Sequence, residues 1–149
     1  MSDRPLATRT LAPFGVEVLH DLSAPLSEAQ AAHLVALLWE HGLVLARGQT
    51  LSMERQRALC GLFGPILLRA GETGIMNNEG GEASATELSW HADAAYTRAP
   101  FDALSLHALD VVADASSTRF VNAEQGWATL PPALRERLAG RMVEMISPG

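Results

Sequence analysis

A histidine and an aspartate stand two positions apart behind a tryptophan in the stretch SWHADAAY, residues 89–96. If this stretch is an extended strand, His91 and Asp93 project to the same face while Ala92 faces away. An imidazole nitrogen and a carboxylate are two of the three ligands in the two-histidine, one-carboxylate site of non-haem iron(II) enzymes. The alternative is two polar residues that happen to alternate, because His-x-Asp often occurs by chance. The pattern therefore raises the hypothesis of half a metal site.

Composition narrows the functions open to the chain. Its 149 residues are 48% hydrophobic and 19% charged, which is typical of a soluble globular protein with a single domain. The net charge of −6 disfavours nucleic acid and anionic membrane, so we expect neither as a partner. All eleven basic residues are arginines, which excludes a Schiff-base lysine and a phosphate-loop lysine within the chain. The single cysteine excludes an intrachain disulfide and a cysteine metal cluster.

Targeting signals are also missing from the sequence. The N-terminal stretch MSDRPLATRTLAPF lacks the apolar segment of a secretion signal. No run approaches the roughly 18 apolar residues that a membrane-spanning helix requires. We therefore expect a cytoplasmic protein.

Two helices are predicted in the first half of the chain. Residues 25–42 carry a broad apolar face, Ser27 and Gln30 have the spacing of a capping box, and Gly42 supplies a stop. A second helix is predicted over residues 52–64, where a Gly-Pro pair ends it.

The remaining patterns predict strands and two further helices. Residues 117–138 predict a strand, a turn, a short helix and a final helix through Leu134 and Leu138. Residues 79–87, which are rich in glycine, glutamate and serine, predict a loop. Helices followed by strands favour an α+β fold over alternating βαβ units. Apolar alternation or apolar runs predict further strands at 13–19, 43–49, 65–69, 74–78 and 101–112.

From Phe14 to Pro131 the chain resembles the taurine dioxygenase family of iron(II)- and 2-oxoglutarate-dependent oxygenases. The Trp-His-x-Asp core with a following aromatic residue, Trp90 through Tyr96, is the most specific part of this resemblance. The next most specific is HGLVLARGQ before FGP. The matching segments occur in the family's order: GVEVLHDLSAPLSEAQ, LLWEHGLVLARGQTLS, LCGLFGPI, ELSWHADAAYTRAPFDALSLHALDV and STRFVNAEQGWATLPPAL.

The resemblance implies both a fold and a chemistry. The fold is a double-stranded β-helix (jelly-roll, cupin-like) with flanking N-terminal helices, and residues 1–149 form the N-terminal part of that single domain. The chemistry is hydroxylation of a small organic acid or amino-acid-like substrate by iron(II), 2-oxoglutarate and O₂. By the same resemblance, His91 and Asp93 bind the iron.

Thr118 matches the threonine that hydrogen-bonds a carboxylate of 2-oxoglutarate in the family. Without the resemblance, a β-branched residue on a strand would be the favoured interpretation of Thr118. The family usually has a Gly-Gly-Asp-Thr-like turn at this point, whereas this chain has ASSTRF, in which Ser116 and Ser117 replace the glycines. This departure puts the presentation of Thr118 in question.

The resemblance also implies a second histidine ligand and an arginine that binds 2-oxoglutarate, both late in the family's domain. His107 is the one histidine after Asp93, and its position in LSLHALDV predicts a packed strand residue. Arg135, Arg137 and Arg141 fit a solvated helix face. We therefore expect half a site within these 149 residues, and no turnover of 2-oxoglutarate by them alone.

Two other classes of function stay open. One is a truncated or degenerate homologue without catalytic activity that serves as a binding module. The other is a zinc enzyme, because histidine and aspartate also bind zinc as a Lewis acid. Expected partners are a small-molecule substrate and either further copies of the chain or a complementing C-terminal half.

Overall fold

The computed structural model describes residues 4–67, 89–111 and 117–146. These residues form a mixed α+β structure with one three-stranded sheet and four helices. In chain order, the elements are β1 (Thr8–Thr10), β2 (Val16–Val18), α1 (Glu28–His41), β3 (Val44–Leu45), α2 (Met53–Cys60), α3 (Ala123–Thr129) and α4 (Pro132–Leu138).

The sheet has the order β1-β2-β3 and combines both strand orientations. β1 pairs antiparallel with β2, with Thr8 opposite Val18. β2 pairs parallel with β3, with Val16 opposite Val44, so that α1 is the crossover helix of a β-α-β unit. Gly15 allows the two parallel strands to approach, because its φ is +97° and an added Cβ would lie 3.2 Å from Leu43.

Helix α1 has the ends that its sequence predicts. The Ser27 hydroxyl accepts a hydrogen bond from the Gln30 backbone N–H, and the Gln30 side chain accepts one from the Ser27 N–H. Gly42 ends the helix in the left-handed conformation at φ 71°. Gln30, Leu34 and Leu37 share the buried face, at the spacing of successive helical turns.

All the buried hydrophobic residues that the structure describes lie in the first 59 positions. Val16 and Val18 of the central strand pack with the buried face of α1 and with Leu59 of α2. The rest of this core is Leu6, Leu22, Leu34 and Leu37. The described residues after position 88 contribute no buried hydrophobic side chain. The segment that carries the predicted metal pair is therefore attached to a packed N-terminal body without being part of its core.

A buried carboxylate joins the three strands. The side chain of Glu17 on β2 is only 4% exposed, and it pairs with Arg9 of β1 and with Arg47 beyond β3. The Arg9 guanidinium donates two hydrogen bonds to Glu17 Oε2. A buried charge requires such partners because desolvation otherwise makes it costly.

Several predicted elements are confirmed. β2 lies within residues 13–19 and β3 within 43–49. The capping-box helix is α1, and the predicted second helix is α2, which ends at Cys60, earlier than the Gly-Pro pair. The short and final helices within 117–138 are α3 and α4. The antiparallel strand β1 was not predicted.

Other strand predictions are wrong where the structure describes them. Residues 101–111 and 117–121 form no regular strand, and neither do residues 65–67. A strand forms when a neighbouring strand accepts and donates its backbone hydrogen bonds, and within the described ranges no segment pairs with 101–111. The predictions over 68–69, 74–78 and 79–87, and for residue 112, lie outside the described residues. A double-stranded β-helix is not seen across 4–67, 89–111 and 117–146.

The helices of the structure are short. The longest one in the described segments is α1, with 14 residues. None of the described helices has the length and apolar character needed to cross a membrane.

Candidate metal centre

The predicted metal pair lies at the start of a tight turn and not on a strand. Residues 93–96 form the turn, which begins at Asp93. Ala94 has φ 56°, a left-handed conformation that residues with a Cβ rarely adopt. The Ala94 carbonyl accepts hydrogen bonds from both the backbone N–H and the hydroxyl of Thr97. This turn bends the chain immediately after the carboxylate, so residues 91–96 do not form the predicted strand.

The side chains of His91 and Asp93 nevertheless meet. His91 Nε2 lies 3.2 Å from Asp93 Oδ1. The other ring nitrogen of His91, Nδ1, lies 2.8 Å from the carbonyl oxygen of Ser89. Because a carbonyl oxygen can only accept, Nδ1 must carry the proton of that hydrogen bond. In the neutral imidazole the Nε2 lone pair then faces the carboxylate, an arrangement that a shared proton or a bound cation stabilises.

The separation of these two atoms is that of an ion pair, and two ligands of one metal ion lie at a similar distance. Nitrogen and carboxylate oxygen ligands lie about 2.1 Å from a divalent metal, so two of them at a right angle lie about 3 Å apart. The observed distance is 3.2 Å. The two side chains are 55% and 45% exposed, which leaves the remaining coordination positions open to other ligands. The Ser89 carbonyl would orient the ring, as backbone acceptors commonly do behind metal-binding histidines.

A third ligand is not found near this pair in the part of the chain that the structure describes. Within these ranges, no group of three or more histidine, cysteine, aspartate or glutamate side chains is close enough to hold a metal ion. His107 is half-buried on the irregular segment 101–111. His33 has a structural contact in the N-terminal body, where its Nδ1 accepts a hydrogen bond from the Leu6 N–H.

Thr118 lies on an irregular, exposed segment next to the metal pair's own segment. The Arg119 guanidinium lies over the Trp90 ring, 5.7 Å from its centroid, within the range of a cation–π contact. Arg119 follows Thr118, the predicted 2-oxoglutarate residue, and Trp90 precedes His91, a predicted iron ligand. The contact between Arg119 and Trp90 therefore holds the two stretches side by side. The role of Thr118 itself stays a prediction, and Ser116 of its turn lies outside the described residues.

A cleft of about 410 Å³ opens beside Asp93. One wall is the C-terminal end of α1 with β3, including Trp39 and Gly42. The opposite wall comes from the segment after the metal pair, including Asp102 and Phe101, together with Phe120. We call this space the Asp102 cleft.

Described residues after position 88, the site-bearing part, lie against the N-terminal body. Gln56 of α2 donates a hydrogen bond to the Ser105 hydroxyl at 3.1 Å. The N-cap side chain of α3, Asn122, lies beside Gly42, where an added Cβ would be 3.7 Å from its amide nitrogen. The surface of the N-terminal body therefore holds the segments that line the cleft.

Four contributors to this site were not identified from the sequence. Ser89 acts through its carbonyl, which any residue type would supply, so no sequence signal marks it. Ala94 has a left-handed conformation that glycine or asparagine usually signals. Asp102 and Trp39 are 63 residues apart in the chain, and only the tertiary structure places them around one cleft.

Comparison with solved structures gives no match. The family model described as "Taurine catabolism dioxygenase TauD, TfdA family" matches residues 2–145, nearly the whole chain. The matched range contains His91, Asp93 and Thr118. The resemblance noted in the sequence is thereby confirmed, and the chain belongs to the TauD/TfdA dioxygenase family.

Proposed function

We propose that this chain forms the N-terminal part of an iron(II)- and 2-oxoglutarate-dependent dioxygenase that hydroxylates a small organic acid or amino-acid-like substrate. The observation that carries the proposal is the His91–Asp93 pair, whose Nε2 and Oδ1 atoms are separated as two ligands of one metal would be. Family membership supports the same chemistry. When bound, iron(II) with 2-oxoglutarate and O₂ supplies the oxidising chemistry by which the family hydroxylates carbon.

The residues of this chain have separate tasks in the proposal. His91 and Asp93 hold the metal, and the Ser89 carbonyl keeps the His91 ring oriented with Nε2 towards it. Thr118 donates a hydrogen bond to a carboxylate of 2-oxoglutarate. The contact between Trp90 and Arg119 keeps the Thr118 segment near the metal. The proposed fold of the whole domain is the jelly roll.

A second candidate is a binding module without catalytic activity. It is favoured by the absence of a third metal ligand among residues 4–67, 89–111 and 117–146. The replacement of the family's turn glycines by Ser116 and Ser117 favours it as well.

Metal binding and turnover together distinguish these candidates. We expect the chain to bind manganese(II), used as a redox-inert probe, weakly, and the His91→Ala variant to lose this binding. His41→Ala, on the surface of α1, is the matched control and should retain it. Unchanged manganese binding by His91→Ala would contradict the proposed metal site.

Turnover is measured as succinate release in the presence of iron(II), ascorbate and 2-oxoglutarate. We expect none from residues 1–149 alone, because two ligands hold iron weakly, and release from a longer polypeptide that continues the reading frame past Gly149. If the longer polypeptide binds manganese but releases no succinate with any tested substrate, the binding-module candidate is favoured. Succinate release by residues 1–149 that disappears in His91→Ala would reveal a third ligand, and His107 would be the first to test.

A further inference from the structure

The stretch that carries Thr118 is not held by regular structure. Residues 117–121 form no strand and are all exposed. One end of the stretch reaches the N-terminal body, where the amide nitrogen of Asn122 lies beside Gly42. A hydroxyl on an irregular, exposed segment binds a ligand well only if other contacts fix its position beforehand. The position of Thr118 therefore depends on contacts that its neighbours make.

Arg119 makes such a contact at the other end of the stretch. Its guanidinium lies over the Trp90 ring, 5.7 Å from the ring centroid. A guanidinium suits this position because it is planar, permanently charged and weakly hydrated, so that it stacks on an aromatic face. Trp90 is 64% exposed, and its ring is therefore open to a cation from another segment.

The contact joins residues that are direct neighbours of the predicted binding residues. Trp90 lies between Ser89 and His91, and the hydrogen bond from His91 Nδ1 to the Ser89 carbonyl spans it at 2.8 Å. The backbone on both sides of the ring is thus part of the arrangement that orients the imidazole. On the other stretch, Arg119 directly follows Thr118. The ring and the cation therefore link the metal pair to Thr118 by a short path.

No hydrophobic core fixes the distance between these two stretches in the part of the chain that the structure describes. The described residues after position 88 contribute no buried hydrophobic side chain. A cation–π contact at an exposed site is weak, but here it acts on a segment that packing does not hold. Its loss should therefore change the position of Thr118 more than the stability of the N-terminal body.

We infer that Arg119 and Trp90 are positioning residues for the cosubstrate site, and that their contact sets the affinity for 2-oxoglutarate through the position of the Thr118 hydroxyl. The inference rests on the proposed function, which assigns Thr118 to a carboxylate of 2-oxoglutarate. It deepens that function by giving Arg119 a defined route of action. The guanidinium acts through Trp90 and Thr118, and not by pairing directly with the cosubstrate.

The affinity for 2-oxoglutarate tests this inference. It is measured by calorimetry on the 149-residue chain saturated with manganese(II), after subtraction of a titration into manganese(II) alone. We expect Arg119→Met, which keeps the side-chain length and removes the cation, to weaken 2-oxoglutarate binding about threefold to fivefold. Its manganese affinity should be unchanged. Arg119→Lys keeps a cation and should restore most of the 2-oxoglutarate affinity. Arg98→Met removes an exposed positive charge from the segment of the metal pair and should have no effect.

Two double-mutant cycles show how Arg119 acts. Trp90→Leu should weaken 2-oxoglutarate binding about as much as Arg119→Met, and the two changes together should cost no more than either alone. Arg119→Met should likewise cost little once Thr118→Val is present. Additive losses in either cycle would mean that the guanidinium acts directly on the cosubstrate, and they would overturn the inference. Trp127→Leu on α3 is the control for loss of a tryptophan and should leave the affinity unchanged.

The variants Thr118→Val and His91→Ala separate this inference from the proposed function. If His91→Ala keeps manganese, or if Thr118→Val binds 2-oxoglutarate as the unmodified chain does, the proposed function is wrong and the inference falls with it. If both variants lose binding while Arg119→Met does not, the proposed function stands and the inference is overturned. Absence of 2-oxoglutarate binding by the manganese-loaded chain would also overturn the inference. Circular dichroism of each variant establishes that the helices are retained.

Discussion

His91 Nε2 lies 3.2 Å from Asp93 Oδ1 although the two residues are not on a strand. A turn begins at Asp93, and the Ser89 carbonyl oxygen lies 2.8 Å from His91 Nδ1, which orients the imidazole. The pair is therefore set by local backbone geometry between residues 89 and 97. Substitutions that change this backbone geometry or the length of the side chains should therefore weaken metal binding.

Lengthening the carboxylate side chain should impair metal binding while keeping its charge. In Asp93→Glu the added methylene displaces the carboxylate from the position that Nε2 faces, and a metal site tolerates only about 0.5 Å of such displacement. We expect manganese affinity to fall about tenfold, measured by electron paramagnetic resonance of the free ion. Asp110→Glu is the control. An unchanged affinity for Asp93→Glu would mean that charge alone, and not geometry, holds the metal.

The left-handed residue in the turn should be sensitive to branching at Cβ. Ala94 has φ 56°, where a β-branched side chain is strained. Ala94→Val should therefore cost about 1–3 kcal/mol locally and weaken manganese binding, whereas Ala94→Gly should retain it. Ala99→Val, at an exposed position nearby without a positive φ, serves as the comparison. If Ala94→Val binds manganese as the unmodified chain does, the turn is not required for the site.

The buried carboxylate of the sheet should contribute to the stability of the N-terminal body. Glu17→Ala removes the partner of Arg9 and Arg47, but both arginines are mostly exposed and can be hydrated after the change. We therefore expect a loss of about 1–3 kcal/mol in the free energy of unfolding, measured by urea titration. Glu40→Gln, whose side chain is 72% exposed, should change it by less than about 0.5 kcal/mol. A loss for Glu17→Ala no larger than that for Glu40→Gln would show that the buried ion pairs are not stabilising.

The site-bearing part should promote association between copies of the chain. Leu104, Leu106, Leu109 and Val111 are each at least 60% exposed on one irregular segment. Contiguous exposed apolar side chains favour association because burial removes them from water. We expect a concentration-dependent mass in light scattering, and we expect Leu109→Asp to reduce it.

Leu19→Asp is the matched control for this prediction. Leu19 is also more than half exposed but lies on the N-terminal body, away from the exposed segment in the chain. It should leave the mass unchanged. A monomer at all concentrations, or an equal effect of Leu19→Asp, would contradict association through residues 104–111.

Much of the N-terminal body could be predicted from the sequence because its signals are local. The capping box of Ser27 and Gln30, the stop at Gly42 and the N-cap at Ser52 each act within one helical turn. Such contacts do not depend on the rest of the chain. Helix α1 was therefore predicted with nearly its observed bounds, whereas α2 starts as predicted but ends at Cys60 and not at the predicted Gly64.

The strands predicted after position 100 do not form in the described residues. Apolar alternation in residues 101–111 predicts which face a strand would bury. A strand also requires a neighbouring strand for its backbone hydrogen bonds. That neighbour is a non-local property, and no segment of the described chain provides it. The same reason explains why the short strand β1, which pairs with β2 through Thr8 and Val18, was missed.

The sequence by itself determined the chemical types at the site: an imidazole and a carboxylate two residues apart, behind Trp90, in the order typical of the family. Only the structure showed that they meet, with Nε2 3.2 Å from Oδ1 in a stretch that forms no strand, and that a carbonyl, which every residue possesses, holds the imidazole. The tertiary structure also forms the Asp102 cleft. Trp39 and Asp102 line it together only because the end of α1 lies against a segment 63 residues further along the chain. Residue types are local and can be read along the chain, whereas proximity between distant residues arises from packing.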